Sequence, residues 1–178
     1  MTGELRILMA AGATGGHIMP AVAMARAIEG ACPEAKIVFV GTGRPAEAAI
    51  LDKYGWPRES LSLRGFKGGG LKSLPGALFL ALKALIKSAD LVRKFRPNLA
   101  IATGGYVCGP VGLAVKLSGA PLVIHEQNSL PGLTNRWLGL LADKILLAFP
   151  DSAKQFSPKK VIVVGNPVRS EIAALGKE

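Results

Sequence analysis

The run Leu5-Arg6-Ile7-Leu8-Met9-Ala10-Ala11-Gly12-Ala13-Thr14-Gly15-Gly16-His17 decides how this chain folds. A short apolar stretch ends in three glycines, and helix-like sequence follows over 19–28. Strand, glycine turn and helix in that order open a parallel α/β unit. The pattern recurs at 99–102, passing through Thr103-Gly104-Gly105-Tyr106 into a helix-like segment over 109–117. A strand that ends in glycines at a helix start brings several backbone N–H groups close to a ligand. The positive end of the helix dipole then favours an anion, above all a phosphate. One such turn can be tight packing alone; two in one small domain point to a diphosphate held between them.

Around these turns strand and helix alternate throughout. Apolar runs predict strands over 5–10, 36–40, 61–63, 99–102, 122–125, 145–148 and 161–164. Helical patterns fall over 19–30, 46–54, 77–95, 109–117, 130–141 and 168–175. Short continuous apolar strands between helices call for a Rossmann-like α/β fold, a parallel sheet covered on both faces. No boundary, repeat or low-complexity tract divides residues 1–178, which read as a single domain. A chain of this length buries roughly 70% of its unfolded surface. Ligands of such sheets bind beyond the carboxyl ends of the strands. Both glycine turns, His125-Glu126-Gln127-Asn128 and Gly165-Asn166-Pro167 all fall at that edge.

Lys and Arg number 22 against 12 Asp and Glu, a formal charge of +10. That balance points to a polyanionic partner: nucleic acid, an anionic membrane or a phosphorylated substrate. Aromatic residues make up 6% of the chain and do not interleave with the basic ones, which excludes base stacking and hence nucleic acid. The two cysteines, Cys32 and Cys108, stand far apart with no partner motif, against a disulfide framework or zinc site and in keeping with a reducing cytoplasm. Glu4 and Arg6 precede the first strand, so the N-terminus reads as no signal peptide.

Neither common nucleotide motif fits the first turn. A dinucleotide fingerprint needs glycines at its first, third and sixth positions; here they fall at the first, fourth and fifth. A P-loop needs Lys after its last glycine, where this chain has His17. In order and spacing, Gly12–Pro20 (GATGGHIMP), Thr103–Pro110 (TGGYVCGP), His125–Asn135 (HEQNSLPGLTN) and Val164–Arg169 (VGNPVR) resemble the MurG family of bacterial peptidoglycan glycosyltransferases. The similarity runs through essentially the whole chain. Ala13 stands where that family usually has a further glycine.

The resemblance implies the N-terminal half of a GT-B enzyme. Such an enzyme transfers N-acetylglucosamine from UDP-GlcNAc to lipid I, an undecaprenyl-diphosphate-linked acceptor, with inversion, forming lipid II. On this reading residues 1–178 are the acceptor- and membrane-binding domain, and the C-terminal UDP-sugar-binding domain is missing. The chain alone is then expected to be inactive, because a GT-B site lies between two domains. A split transferase whose donor-binding half is a second polypeptide, and a non-catalytic lipid-binding module, are the alternatives. The expected location is peripheral, on the cytoplasmic face of the cell membrane.

His17 is the sharpest catalytic candidate, beside the first turn at a helix start. A neutral imidazole can accept a proton from a sugar hydroxyl as that oxygen attacks an anomeric carbon; an orienting contact to substrate is the other role open to it. Glu126 is a second base candidate or a turn cap, and His125 a residue that fixes the strand-end loop. Thr14, Gly15 and Gly16 are expected to face the donor. Asn128 suits sugar hydroxyls or an acetamido group, and the resemblance puts it at the donor sugar. The same carry-over puts Arg169 by the nucleotide, while Gly104, Gly105 and Tyr106 form the acceptor diphosphate loop. No Asp-x-Asp pair ends a strand, so neither metal nor other cofactor is expected.

Over 77–95, Lys83, Lys87, Asp90 and Lys94 share one helical face, opposite Leu78, Leu82, Leu85 and Ala89, with Phe79 and Ile86 widening the apolar side. Charges interrupt the run before the ~20 apolar residues a bilayer span needs. Upstream, Arg64, Phe66, Lys67, Leu71, Lys72 and Leu74 mix basic and apolar groups around Gly68-Gly69-Gly70. A core helix with a solvated lysine face explains the helix alone; with the loop and a lipid-linked acceptor, docking on anionic headgroups explains both.

Overall fold

The computed structural model describes residues 4–12, 14–61 and 74–167. Seven strands form one sheet: β1 (Arg6–Ala10), β2 (Lys36–Gly41), β3 (Arg58–Ser60), β4 (Leu99–Ala102), β5 (Leu122–Glu126), β6 (Lys144–Leu147) and β7 (Val161–Val163). Their order is β3-β2-β1-β4-β5-β6-β7, and every pairing is parallel. The helices are α1 (Gly15–Ala31), α2 (Pro45–Leu51), α3 (Leu74–Phe95), α4 (Cys108–Leu117) and α5 (Leu133–Leu141).

Alternation along β1 builds both layers, because successive side chains leave opposite faces of a strand. Ile7 and Met9 join Ile18, Val22 and Phe39 in a core under α1; Leu8 and Ala10 join Val92, Val111, Ile124 and Leu138 in a core under α3, α4 and α5. The chain winds outward from β1 to β3, then crosses back to place β4 on the other side of β1. That reversal is the switch point where ligands of open parallel sheets bind. Ala10 pairs with Ala102, so the two glycine turns leave the sheet side by side at this point.

Several element boundaries differ from the sequence expectation, three of them instructively. The third strand lies at Arg58–Ser60 instead of 61–63; its residues are exposed, and Leu61, buried, follows it. An edge strand pairs through backbone and needs no apolar run. Helix α5 starts at Leu133 instead of 130, because Pro131 and Gly132 precede it and the Gly132 N–H is bound to Glu126. Helix α1 starts at Gly15, four residues early, which puts His17 inside its first turn.

Helix α3 turns most of its largest apolar residues away from the core. Ala84, Ser88 and Val92 meet the core, while Leu78, Phe79, Leu82 and Ile86 are all more than half exposed. The core thus receives the helix on Ala84, Ser88 and Val92, with Leu85, Leu91 and Phe95 packed against it, and leaves Leu78, Phe79, Leu82 and Ile86 outside. No helix among the described residues is long and apolar enough to cross a membrane. Arg64, Phe66, Lys67, Leu71, Lys72, Arg169 and the expected helix over 168–175 lie outside the described residues; Leu74 opens α3, its side chain undescribed.

Candidate active site

The two turns are fitted to each other. The Gly12 N–H donates to the Gly104 carbonyl at 3.3 Å. Gly104 and Gly105 have φ of +112° and +86°, conformations that favour glycine. A Cβ on Gly105 would stand 2.6 Å from the Gly12 carbonyl oxygen, and one on Gly104 2.7 Å from His17 Nδ1. Packing thus demands the second pair of glycines. At the first turn the reverse holds: a Cβ on Gly15 would meet nothing within 4 Å, and one on Gly16 only Thr14 Oγ1 at 3.7 Å.

Thr14 is the N-cap of α1 in extended conformation, and its carbonyl accepts from the His17 and Ile18 N–H groups. Among the described residues the Gly15 and Gly16 N–H groups have no partner, as expected of a helix start. The Gly105 and Tyr106 N–H groups likewise find none there. The Tyr106 hydroxyl accepts from Arg44 at 3.2 Å, tying the loop after β2 to the second turn.

His17 sits between the turns, half-buried. Its Nδ1 lies 3.0 Å from the Thr103 carbonyl oxygen, an acceptor only, so Nδ1 carries the proton and donates it. The Gln127 amide contacts the same Nδ1. Turned so that Oε1, otherwise without a partner, meets Nδ1–H, this amide reinforces the same tautomer. Nε2 then holds the lone pair and has no partner among the described residues. Thr103, buried, also donates from Oγ1 to the His17 carbonyl at 2.8 Å, locking the first turn of α1 to the end of β4.

Glu126 has a different task from the base considered for it. It is 1% exposed, and both oxygens are taken. Oε1 accepts from the Asn128 N–H and Nδ2, both at 2.9 Å; Oε2 accepts from the Gly132 N–H at 3.0 Å and Asn135 Nδ2 at 2.9 Å. Four donors fill the carboxylate and shape the loop between β5 and α5, so the base role gives way to the turn-cap role. Asn128 stays exposed, its Nδ2 held and its Oδ1 outside that network. Asn135, buried, spans the loop by donating also to the His125 carbonyl. His125 is fully buried, its Nε2 3.3 Å from the Gly165 carbonyl, and burial holds its pKa below the ordinary histidine value.

Sequence reasoning did not single out Thr103, Asn135 or Arg44 for the site, and it left Gln127 without a role. Each acts across a long stretch of chain; Gln127 and His17 stand 110 residues apart. The available signal was polarity at strand ends, where a buried strand has no packing use for Thr103 or Gln127. Cys108 is buried, donates to the Gly104 carbonyl at 3.0 Å, and has its thiol pKa pushed up to about 12.

Residues 7–147 match the family model described as the glycosyltransferase family 28 N-terminal domain. A relative from Anaeromyxobacter sp., named UDP-N-acetylglucosamine--N-acetylmuramyl-(pentapeptide) pyrophosphoryl-undecaprenol N-acetylglucosamine transferase, is 42% identical over 165 residues, 93% of this chain and 43% of its own. A relative of the same name from Desulfotalea psychrophila is 41% identical over 174 residues, 98% of this chain and 47% of its own. The chain therefore spans less than half the length of these relatives. The crystal structure of Acinetobacter baumannii MurG superposes with a TM-score of 0.78 at 29% identity, covering 91% of this chain and 46% of that one. A UDP-N-acetylglucosamine 2-epimerase from Listeria monocytogenes, at 12% identity and TM-score 0.71, shares the fold. The Rossmann-like sheet, the glycine turns at its switch point and the match over 7–147 together make this chain a member of glycosyltransferase family 28, in that family's N-terminal domain.

Proposed function

We propose that this chain is the acceptor- and membrane-binding half of an inverting hexosyltransferase that moves N-acetylglucosamine from UDP-GlcNAc to a diphosphate-linked lipid acceptor, lipid I, in peptidoglycan synthesis. The observation that carries this reading is His17, held by the Thr103 carbonyl and Gln127 between two glycine turns with Nε2 free of protein partners among the described residues. Nε2 takes the proton of the acceptor hydroxyl while that oxygen bonds to the anomeric carbon. The bond from that carbon to the donor diphosphate breaks on the opposite side, and UDP leaves with the electron pair. The Gly15 and Gly16 N–H groups face the donor diphosphate, those of Gly105 and Tyr106 the acceptor diphosphate, and Asn128 the donor sugar; the charge of Arg169 serves the nucleotide. The nucleotide itself is held by a second domain beyond this chain.

Membrane docking is part of the same reading. Phe79, 67% exposed, and Ile86, 63% exposed, form an outer stripe on α3, and the net charge of +10 favours anionic headgroups. The chain then works as a peripheral protein on the cytoplasmic face of the membrane, and Phe66, Lys67, Leu71, Lys72 and Leu74 supply the basic and apolar groups that join Phe79 in headgroup binding. The test combines labelled UDP-GlcNAc with a lipid I analogue in anionic vesicles. The chain alone is expected to float with the vesicles and form no labelled product. Turnover by the chain alone would overturn the half-enzyme reading, and failure to float would remove the membrane part.

A further inference from the structure

Helices α3, α4 and α5 enclose an apolar groove of about 560 Å3 that neither the site geometry nor the membrane stripe uses. Its walls are Leu78 and Leu82 of α3, Leu113 of α4, and Leu133, Trp137 and Leu141 of α5. On α5 the buried residues Asn135, Leu138 and Gly139 face inward, and the outward face is apolar again: Leu133 is 70% exposed, Trp137 67% and Leu140 72%. Helix α3 likewise carries two apolar stripes. Phe79 and Ile86 project outside the groove, while Leu78, Leu82 and Leu85 line it. Tyr106 and Gly109, at the second glycine turn and the start of α4, also line the groove.

We propose that this groove holds the first isoprenoid units of the acceptor's hydrocarbon chain, which leave the diphosphate at the second turn and run between α3, α4 and α5. The inference rests on the acceptor reading above. Three observations favour this occupant. The volume falls within the roughly 300–1,000 Å3 of small-molecule sites, which are mostly apolar with a few polar groups. Polar side chains at the lining are confined to Tyr106 and Thr134, which suits a hydrocarbon and not a sugar or peptide. The relatives' acceptor, a pyrophosphoryl-undecaprenol, joins diphosphate and hydrocarbon directly, so a diphosphate at Gly105 and Tyr106 starts its chain beside a residue that lines the groove. A flat bilayer surface meets the outer stripe but does not fill a trench between three helices.

Three soluble probes divide the claim: inorganic diphosphate, farnesol and farnesyl diphosphate. Binding is read by calorimetry and by the fluorescence of Trp137, with Trp137→Phe as the optical control. Farnesyl diphosphate is expected to bind at least about 30-fold tighter than inorganic diphosphate, because apolar burial adds to the anion contact. Leu133→Glu and Leu82→Glu, at exposed positions that the fold does not need, bring it to within about 3-fold of inorganic diphosphate. Leu117→Glu, exposed but outside the groove, leaves it unchanged. Farnesyl diphosphate binding no tighter than inorganic diphosphate would overturn the groove assignment and leave the anion turn standing. Farnesol binding that Leu133→Glu abolishes, with no added affinity from the diphosphate, would keep the groove and sink the acceptor reading instead. A dimer in sedimentation that Leu133→Glu dissociates, with no farnesyl binding, would assign the face to a second copy and overturn the proposal.

Discussion

Replacing Glu126 by Gln removes one negative charge and changes the side chain's size little, yet it is expected to cost as much as a large core truncation. The native carboxylate accepts from four donors, two on each oxygen. A Gln there can present its oxygen to one pair of donors only; its NH2 then faces the other pair. Turning the Asn135 amide to offer Oδ1 relieves one clash, but it sets Oδ1 against the His125 carbonyl that Nδ2 now serves. Two charge-assisted bonds are lost either way. At 1% exposure no solvent replaces them, and at about 1.5–3 kcal/mol each the loss is roughly 3–6 kcal/mol. For a chain of this size that lowers Tm by roughly 6–24 °C. Thermal and urea melts followed by circular dichroism on the chain and on Glu126→Gln measure it. A change under about 0.5 kcal/mol, the size of an ordinary surface substitution, would refute the reasoning and return Glu126 to the list of free carboxylates.

The two turns respond oppositely to alanine. Gly105→Ala meets both φ +86° and the Gly12 oxygen and is expected to lose more than about 2 kcal/mol in a urea melt, whereas Gly15→Ala, in open space within α1, holds or gains up to about 1 kcal/mol. Gly15→Ala is nonetheless expected to weaken inorganic diphosphate binding by calorimetry, since its methyl group enters the space over the free N–H groups. His125 is buried with a folded pKa below the ordinary 6.5, so the unfolded chain binds the extra proton first as pH falls. Its contribution is therefore complete above about pH 6.5 and is lost as pH falls from there through the folded value; His125→Gln is expected to flatten that part of a stability–pH curve. Iodoacetamide at pH 8 is expected to label exposed Cys32 in the native chain and spare Cys108, whose thiol stays protonated until about pH 12; mass spectrometry of the peptides decides it.

Where periodicity and chemistry coincide, the sequence was readable. Ile7, Leu8, Met9 and Ala10 announce a strand buried on both faces, and the glycines at 12, 15 and 16 announce the turn that follows. The site edge followed from that topology alone. Less was legible where backbone or distant partners decide. Arg58–Ser60 becomes a strand through edge pairing to β2 with no apolar signal of its own. Leu78 and Leu82 carry the same helical spacing whether they face a core or a groove, and buried Ala84, Ser88 and Val92 show which side the sheet took. The sequence left Glu126 open between base and turn cap because its four donors come from residues 128, 132 and 135, whose positions depend on the loop it shapes. The place of His17 was legible in part; the carbonyl and amide that set its tautomer come from Thr103 and Gln127, just past the ends of β4 and β5, brought to it by the crossover.

The central claim is that this chain supplies the acceptor side and the base of a two-domain sugar transferase. It is tested most directly by joining the chain to the C-terminal half of the Desulfotalea psychrophila relative and measuring labelled sugar transfer to a lipid I analogue on anionic vesicles. The account predicts transfer by the joined protein, none by either half alone, and a loss of about 100-fold or more in kcat on His17→Ala with the fold intact. Transfer that survives His17→Ala at full rate would contradict it, placing the base elsewhere.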